Sequence, residues 1–325
     1  MRDFASNGIS DDEIRSQYEL KDNYVWRLPK ARADFKTRTV SEQNVKPLSY
    51  RPFDNRHVYY DKAVVFNPRY QIMNHMLSGD NLAIVSIGQN ESTIFTHAFV
   101  SRNLVEIKMA THYGASIVFP VYLRTPEPGM FDGEILTNLT PESAPLAEIA
   151  RRHDVSKLPV DILIAHYIYA ILYSQTYRER YAEPLLTDFP HIPISPTPEL
   201  FRALACIGGE LTALHLLESP KLAQPITEYL GGRSPEVEKI SWSKNTVWLD
   251  KAQTTGFQGV REDVWNFHIG GYQVCEKWLK DRKGRTLSAA DREHYQKIVV
   301  ALSETIRLMK EIDAVIEKHG GWPLK

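Results

Sequence analysis

One short motif has the residue types of a base-modifying enzyme. Residues 63–70, AVVFNPRY, place an apolar stretch before Asn67-Pro68-Arg69-Tyr70. Enzymes that methylate the exocyclic amine of a base use an Asn-Pro-Pro-Tyr turn after a strand. Here arginine replaces the second proline, and no glycine-rich turn precedes the motif to hold a methyl donor. We therefore interpret the motif as a strand followed by a proline-initiated helix.

A second pattern has the carboxylates of a metal-dependent nuclease. Such a site holds a divalent metal between an Asp and a Glu-x-Lys on adjacent strands, and Asp80 with Glu106-Ile107-Lys108 follows that order. The pattern is short. The alternation of apolar and charged residues over 105–108 is typical of a half-buried strand with exposed charges, and we favour that interpretation.

Other catalytic signatures are absent from the sequence. It contains no GxxxxGK(S/T) phosphate loop, no GxSxG nucleophile turn and no HExxH zinc motif. The two cysteines, Cys206 and Cys275, form no CxxC pair, which indicates neither a zinc site nor a disulfide framework. The sequence therefore predicts no catalytic residue, metal ligand or cofactor in this chain, which we expect not to be an enzyme on its own.

A first group of residues has the types that bind nucleic acid. Tyr50–Arg56 and the residues after it combine arginines, which grip phosphates in a bidentate way, with tyrosines, which offer stacking faces. The alternative is structural, with Asp54 pairing with an arginine and fixing a turn. The candidate DNA-binding residues of this group are Arg51, Arg56, Tyr59 and Arg69.

A second group follows the stretch WNFHIGGYQ at 265–273. The glycine pair would allow close approach of the backbone to a partner. Residues 277–285 contain five basic residues and one acidic residue, a composition that suits a phosphate grip. The alternative is a solvated helix end with cations near its C-terminus. The candidates are Gly271, Tyr272, Lys277, Lys280, Arg282, Lys283 and Arg285.

A third group lies in polar loops between the predicted strands of residues 80–115. Gln and Asn can bind adenine through two hydrogen bonds in the major groove. The same residues are also common in ordinary loops. The candidates for contacts to base edges are Gln89, Asn90, Ser92, His112 and Tyr113.

Charge and composition restrict the class of protein. The 325 residues have a net charge of −1, which argues against a purely electrostatic DNA binder. Residues 20–70 nevertheless hold eleven basic and five acidic residues, which is compatible with one basic face. No apolar run is long enough to cross a membrane, and the N-terminus lacks a signal peptide, so we expect a cytoplasmic protein.

The secondary-structure pattern predicts an α+β fold, with a β-rich N-terminal part followed by a mainly helical C-terminal part with short strand insertions. We expect an entry or linker segment at 1–45, a β-rich recognition subdomain at 46–125, a linker at 126–158 and a mainly helical subdomain at 159–325. Strands are predicted at His57–Phe66, Asn81–Ile87, Phe95–Val100, Leu104–Met109 and Ser116–Leu123. The helix Ser288–His319 begins with a capping box of Ser288 and Asp291.

Several stretches resemble the C-terminal part of the type ISP single-polypeptide restriction–modification enzymes and related adenine-specific DNA methyltransferases with a fused recognition region. They are YRPFDNRHVYY (50–60), VFPVYL (118–123), HYIYAILYSQTYRERYAE (166–183), FPHIPI (189–194), LHLLES (214–219) and, above all, 264–313 from VWNFHIGGYQ to MKEID. The resemblance covers roughly residues 45–315. It implies that the chain is the target-recognition part of such an enzyme, or a separate subunit of one.

The resemblance implies sequence-specific binding of double-stranded DNA. Chemistry would belong to upstream modules, in cis or in a separate subunit, and S-adenosylmethionine, ATP and magnesium are expected only there. Two other classes stay open. A catalytic methyltransferase fragment would bind the methyl donor. A protein-interaction scaffold would bind neither donor nor DNA, and would dock through the apolar stripe of Ser288–His319.

Overall fold

Small sheets dominate the first half of the chain and helices the second. The computed structural model describes residues 1–89, 94–124, 135–138, 144–152, 158–194 and 196–324. The predicted α+β fold class is confirmed. The strands are β1 Val45–Arg51, β2 Asp54–Tyr59, β3 Ala83–Ser86, β4 Phe99–Ser101, β5 Leu104–Val105, β6 Ile117–Pro120, β7 Tyr122–Arg124, β8 Ile135–Thr137, β9 Glu228–Leu230, β10 Ser241–Ser243, β11 Thr246–Trp248, β12 Gly256–Gln258, β13 His268–Ile269 and β14 Tyr272–Gln273.

The helices are α1 Arg2–Ala5, α2 Asp11–Tyr18, α3 Leu28–Lys36, α4 Tyr70–Met73, α5 Ala144–Arg152, α6 Val160–Tyr173, α7 Gln175–Arg180, α8 Ala182–Thr187, α9 Pro198–His215, α10 Glu262–Trp265, α11 Val274–Lys280 and α12 Ala289–Lys318. The predicted capping box of α12 is confirmed, because the Ser288 hydroxyl accepts from the Asp291 amide (3.1 Å) and the Asp291 carboxylate accepts from the Ser288 amide (2.9 Å).

The sheets are short and each pairs strands that are close in sequence, with three exceptions. Their strand orders are β2-β1-β5, β4-β3-β6, β7-β8, β10-β11-β12-β9 and β13-β14. The exceptions are β5, which joins β1 in parallel, β6, which joins β3, and β9, which joins β12. The parallel pair connects the β1–β2 hairpin to the segment that carries Glu106 and Lys108, and so positions one wall of the candidate site.

One continuous hydrophobic core runs from the strands into the helices, from Phe53 to Ile316. Helices α6 and α9 form its centre and touch backbone to backbone. A Cβ atom at Gly208 on α9 would lie 1.9 Å from the carbonyl oxygen of His166 on α6. Only glycine permits this approach.

The first 45 residues supply most of a smaller core, to which Ala63 also belongs. Phe4, Ile14, Leu28 and Phe35 bury their side chains together. Arg32, only 3% exposed, ties the segment together, since its guanidinium donates to the carbonyls of residues 4, 6 and 9. The predicted entry segment is therefore a folded element.

Two predicted strands end earlier than expected because a side chain closes a turn. The strand predicted at His57–Phe66 ends at Tyr59, and the Asp61 carboxylate then accepts from the Ala63 amide at 2.8 Å. The strand predicted at Leu104–Met109 ends at Val105, where the Glu106 carboxylate accepts from the Lys108 amide at 2.7 Å. The prediction of a strand over residues 105–108, made from the alternation of apolar and charged residues, is therefore wrong.

Residues 126–158, predicted as a linker, include regular elements in their described parts. Strand β8 pairs with β7. Helix α5 buries Leu146, Ala147 and Ala150 in the large core. Whether the chain divides into subdomains at these residues stays a prediction.

Candidate nucleic-acid interface

Tyr272 is the point at which the three predicted groups of residues meet. Its ring is buried, and its hydroxyl donates to the carbonyls of Lys108 (2.7 Å) and Thr111 (3.1 Å). The His112 ring centroid lies 4.1 Å from that of Tyr272, and the Arg51 guanidinium carbon lies 5.2 Å from it. Residues far apart in the sequence are thus held around one aromatic ring.

The glycine pair before Tyr272 brings the backbone close to another part of the same chain. Gly270 has a φ of +59°, and a Cβ atom there would lie 1.7 Å from the carbonyl oxygen of Ala110. A Cβ at Gly271 would lie 2.5 Å from the His112 ring. The Gly270 amide donates to the Thr96 carbonyl at 2.8 Å. The pair therefore locks the β13–β14 turn onto the loops around residues 96 and 111.

Asp54 is a buried carboxylate that forms ion pairs with two of the predicted cations. Its carboxylate, 3% exposed, lies 2.9 Å from Arg56 and 3.0 Å from Arg282. The Arg282 guanidinium also lies 3.5 Å from the Trp278 ring centroid. The structural alternative, in which Asp54 pairs with Arg56, is what the geometry shows. The network joins the β1–β2 hairpin to the turn after α11.

Two further cations are paired in the same region. Arg51 lies 2.6 Å from the Glu106 carboxylate and stacks on Tyr50. Lys277 pairs with Asp281 one helical turn later. Breaking such partly buried pairs to bind phosphate would leave uncompensated charges, which is costly. These side chains therefore position the site more than they offer free charge to a ligand.

Three predicted cations extend toward solvent near the end of α11. Lys280 pairs with Glu276 at 2.8 Å but has a side chain 56% exposed. Lys283 and Arg285 are exposed in the turn that follows. This turn is the part of the second group with charge available for a phosphate.

Two predicted residues of the first group make structural contacts. The Tyr59 hydroxyl accepts from the Asn44 amide group at 3.2 Å. Arg69 has a φ of +49° and donates to the carbonyls of Ser116 (2.9 Å) and Val105 (3.1 Å). The Arg69 side chain thus connects β5 to the residue that precedes β6.

The carboxylates considered for a nuclease each pair with an arginine. Asp80 lies 2.6 Å from Arg124, and Glu106 lies 2.6 Å from Arg51. Over the part of the chain that the structure describes, no group of three or more His, Cys, Asp or Glu side chains is placed to hold a metal ion.

A cleft of about 1060 Å³ opens beside Tyr272. Its walls come from residues 94–97, 111–114, 175–187 and 263–271, so the β-rich and helical parts both contribute. Four predicted residues line it: Gln89, His112, Tyr113 and Gly271. Asn90 and Ser92 lie outside the described residues.

His112 lies at this cleft in an electropositive position. Its pKa is lowered by partial desolvation of the ring and by the charges of Lys277, Arg51 and Lys108, while a backbone hydrogen bond opposes the shift. The imidazole is therefore neutral at pH 7, with one nitrogen that donates and one that accepts. Tyr113 next to it is 65% exposed. The positive charges of Lys277, Arg51 and Lys108 thus surround a neutral imidazole that can form hydrogen bonds.

The sequence analysis missed several polar residues of the cleft. Asn266 and His268 are exposed and line it, as do Gln175 and Thr96. The first two belong to the stretch WNFHIGGYQ, in which a polar loop before the glycine pair was the available signal. Gln175 and Thr96 have no such signal, because only the tertiary fold brings them to the cleft.

The fold is α+β, and loops from distant parts of the chain surround the cleft. The family model of the Type ISP C-terminal specificity domain matches residues 1–311, and the chain belongs to that family. Among curated proteins, none matches the chain significantly.

Solved structures share the fold at low sequence identity. They include the ATP-dependent Type ISP restriction-modification enzyme LlaBIII bound to DNA (TM-score 0.65, 18% identity, 87% of this chain and 20% of that one). A nuclease-deletion mutant of the Type ISP enzyme LlaGI with a DNA substrate mimic has a TM-score of 0.60 at 19% identity, over 88% of this chain and 26% of that one. A DrdV–DNA complex has a TM-score of 0.64 at 21% identity, over 86% and 30%. This chain spans less than a third of each relative.

In the described residues, no helix has the length and apolarity needed to cross a membrane.

Proposed function

We propose that this chain selects the DNA target sequence of a restriction–modification enzyme and performs no chemistry itself. The observation that carries the proposal is the cleft beside Tyr272, where loops of both halves of the chain present neutral hydrogen-bonding side chains. Membership of a specificity-domain family supports it. So do the structural relatives, each of which is in complex with DNA or a DNA mimic.

The proposed base contacts come from the rim of the cleft. Gln89, His112 and Tyr113 are exposed there and uncharged, apart from the small protonated fraction of the histidine. Neutral donors and acceptors suit base edges, because bases differ in their pattern of donors and acceptors and not in charge. Asn90 and Ser92 remain candidates from the sequence alone.

The proposed phosphate contacts come from the exposed turn after α11. Lys283 and Arg285, with Lys280 on the helix before them, extend toward solvent. Phosphate contacts fix the register of a protein on the duplex without selecting sequence. Arg51, Arg56, Lys277 and Arg282 would act indirectly, by holding Tyr272 and its neighbours in place.

The partner in this proposal is an upstream methyltransferase module, in cis or as a separate subunit. S-adenosylmethionine, ATP and magnesium would then bind to upstream modules. A chain that only recognises DNA would show no heat of binding with S-adenosylmethionine in calorimetry. A clear binding isotherm would instead favour the methyltransferase fragment.

Selection from random duplexes tests the function directly. The chain is incubated with a duplex library at physiological salt, bound duplexes are amplified, and enrichment is measured over several rounds. A recognition domain enriches one short sequence, and salt weakens its binding. Enrichment of no sequence would contradict the proposal, since this chain would then carry no specificity of its own.

A further inference from the structure

A buried arginine with an unused donor forms the floor of the cleft. Arg178 is 8% exposed, and its side chain lines the cleft. Its Nε donates to the Leu172 carbonyl at 2.7 Å, and its guanidinium carbon lies 4.8 Å from the Tyr173 ring centroid. Its Nη2 is enclosed and has no hydrogen-bond partner. A buried donor without a partner is unfavourable, which points to a ligand that supplies an acceptor.

His97 offers a second unused nitrogen on the same floor. It is 2% exposed, lines the cleft, and its Nδ1 has no hydrogen-bond partner. Burial, and then the charge of Arg178, lower its pKa to about 4. The ring is therefore neutral at pH 7, and its Nδ1 donates in one of the two neutral tautomers.

Helix α7 holds Arg178 in this orientation. The Asp313 carboxylate on α12 accepts from the hydroxyls of Ser174 (2.6 Å) and Thr176 (2.8 Å). The Ser174 hydroxyl in turn accepts from the Tyr177 amide at 3.0 Å and caps α7. These contacts pin the helix to α12, so the guanidinium is preorganised below the opening of the cleft.

We propose that Arg178 Nη2 and His97 Nδ1 become accessible from the cleft when DNA binds and form a subsite that donates to an oxygen atom of the DNA. The oxygen belongs either to a backbone phosphate or to the carbonyl of a base, since a guanidinium binds both. Phe95 and Phe267 also line the cleft and make its surface less polar. The proposal rests on the proposed function and names the atoms that it uses.

The first test removes each donor and measures affinity for the duplex obtained by selection. Arg178→Met and His97→Phe replace the two donors with apolar side chains that donate nothing. Removal of a hydrogen bond from a charged donor predicts affinity about tenfold lower or more for Arg178→Met. A smaller reduction is expected for His97→Phe, which removes a neutral donor. Arg180→Met, an exposed change on the same helix, is the matched control and keeps native affinity.

The second test identifies the source of the oxygen. Single methylphosphonates in the selected duplex remove the charge of one phosphate at a time. Base analogues that lack one carbonyl remove base oxygens instead. The substitution that weakens the native chain but adds nothing to Arg178→Met marks the contacting atom, by the logic of a double-mutant cycle.

A third measurement covers variants that fail to fold and does not need DNA. Far-UV circular dichroism identifies such variants. Inorganic phosphate, compared with chloride at equal ionic strength, raises the melting temperature of the native chain if the floor binds an oxyanion. His97→Phe reduces that rise and Arg180→Met does not.

Two outcomes separate the inference from the function it rests on. Folded Arg178→Met and His97→Phe chains that bind the selected duplex as tightly as the native chain would overturn the subsite and leave target recognition intact. If the native chain enriches no duplex, target recognition fails. The affinities of the native chain, Arg178→Met and His97→Phe for a random duplex then decide the subsite, and equal affinities overturn it.

Discussion

At the residue scale, neighbouring cations of the turn after α11 have opposite environments. Arg282 is 15% exposed and lies 3.0 Å from Asp54, a residue 228 positions earlier. Lys283 next to it is exposed. The sequence KDRKGR predicts a basic turn but not which cation is buried, because the partner that buries Arg282 is remote in sequence. The sequence therefore predicts that this turn is basic, but not which of its cations is exposed and free to bind a ligand.

Reversing the exposed charges should weaken binding to every duplex. Lys283→Glu with Arg285→Glu removes proposed phosphate contacts, so affinity falls for selected and random duplexes alike. The slope of log affinity against log salt should become shallower by about 0.9 for each phosphate that the variant no longer neutralises. Anisotropy titrations over a range of salt measure both quantities. Native affinity and slope in the variant would contradict the assignment of this turn.

The matched change at Arg282 should affect stability instead. Arg282→Met leaves Asp54 buried beside Arg56 alone and removes the stacking on Trp278. Removal of one partner of a buried ion pair predicts a decrease of about 3 kcal/mol in the free energy of unfolding. Urea unfolding measures it. A stable Arg282→Met chain with a shallower salt slope would reverse the roles assigned to residues 282 and 283.

His215 should make stability depend on pH. It is 3% exposed between Tyr169 (2.5 Å) and Thr305 (2.8 Å), and burial, then the charge of Arg178, lower its pKa to about 3. The unfolded value is about 6.5, so the unfolded chain binds the proton first. Stability is full above pH 6.5 and falls by up to about 1.4 kcal/mol per pH unit below it.

Urea unfolding at several pH values between 7 and 5 measures this slope. His215→Phe removes the titrating group, so its slope should be shallower by about one proton even though its stability at pH 7 is lower. His191→Gln, a change at a side chain 82% exposed, is the control and should keep the native slope. Equal slopes in the native and His215→Phe chains would show that His215 does not set this dependence.

At the element scale, long helices could be predicted, but only some of the short strands, such as β3 and β6, could. The periodic apolar residues and the cap of α12 define it from the sequence, and the structure confirms both. Strands β9 and β12 have three residues each and no alternation that marks them. They exist because they pair with each other across an intervening 25 residues of chain. The formation of these two strands therefore depends on a tertiary contact that the local sequence does not show.

Helix α3 was missed for a different reason. Its sequence, LPKARADFK, mixes charges with four buried positions, and one of those is Arg32. A buried arginine breaks the apolar stripe by which a helix is predicted. Its hydrogen bonds to three carbonyls replace the hydrophobic contact that the pattern expects.

The contact between α6 and α9 gives a prediction at this scale. Gly208→Ala places a methyl group 1.9 Å from the His166 carbonyl oxygen, so the two helices must separate. Overpacking of this kind predicts a decrease of about 2 kcal/mol in the free energy of unfolding. Gly232→Ala is the control, since a Cβ there meets nothing within 4 Å. Urea unfolding that gave equal midpoints for the two variants would show that the helices can adjust at no cost.

At the scale of the whole molecule, the candidate site depends on contacts between the two halves. Gln89, His112, Tyr113 and Gly271 could be predicted because polar loops and a glycine pair are visible in the sequence. Arg178 and His97 could not, because Arg178 lies among polar helix residues that predict exposure and His97 lies in an apolar stretch that predicts core. The cleft that unites these residues exists only once the strands and helices share one core.

That shared core predicts cooperative unfolding of residues 46–324. Trp278 and Trp265 report on the C-terminal part, and far-UV circular dichroism reports on helices throughout. Because Phe53, Phe99 and His215 have their rings 5.1 to 5.5 Å apart, the strands cannot lose their packing without disturbing α9. We expect the fluorescence and circular dichroism transitions in urea to coincide.

We also expect a fragment of residues 159–324 to have a lower midpoint than the full chain, since it lacks the strands that cover its helices. Trp26 lies with the smaller N-terminal core, so its replacement by Phe should leave both transitions in place. Separate transitions, or a fragment as stable as the full chain, would instead mean that the recognition cleft lies between two independently stable domains.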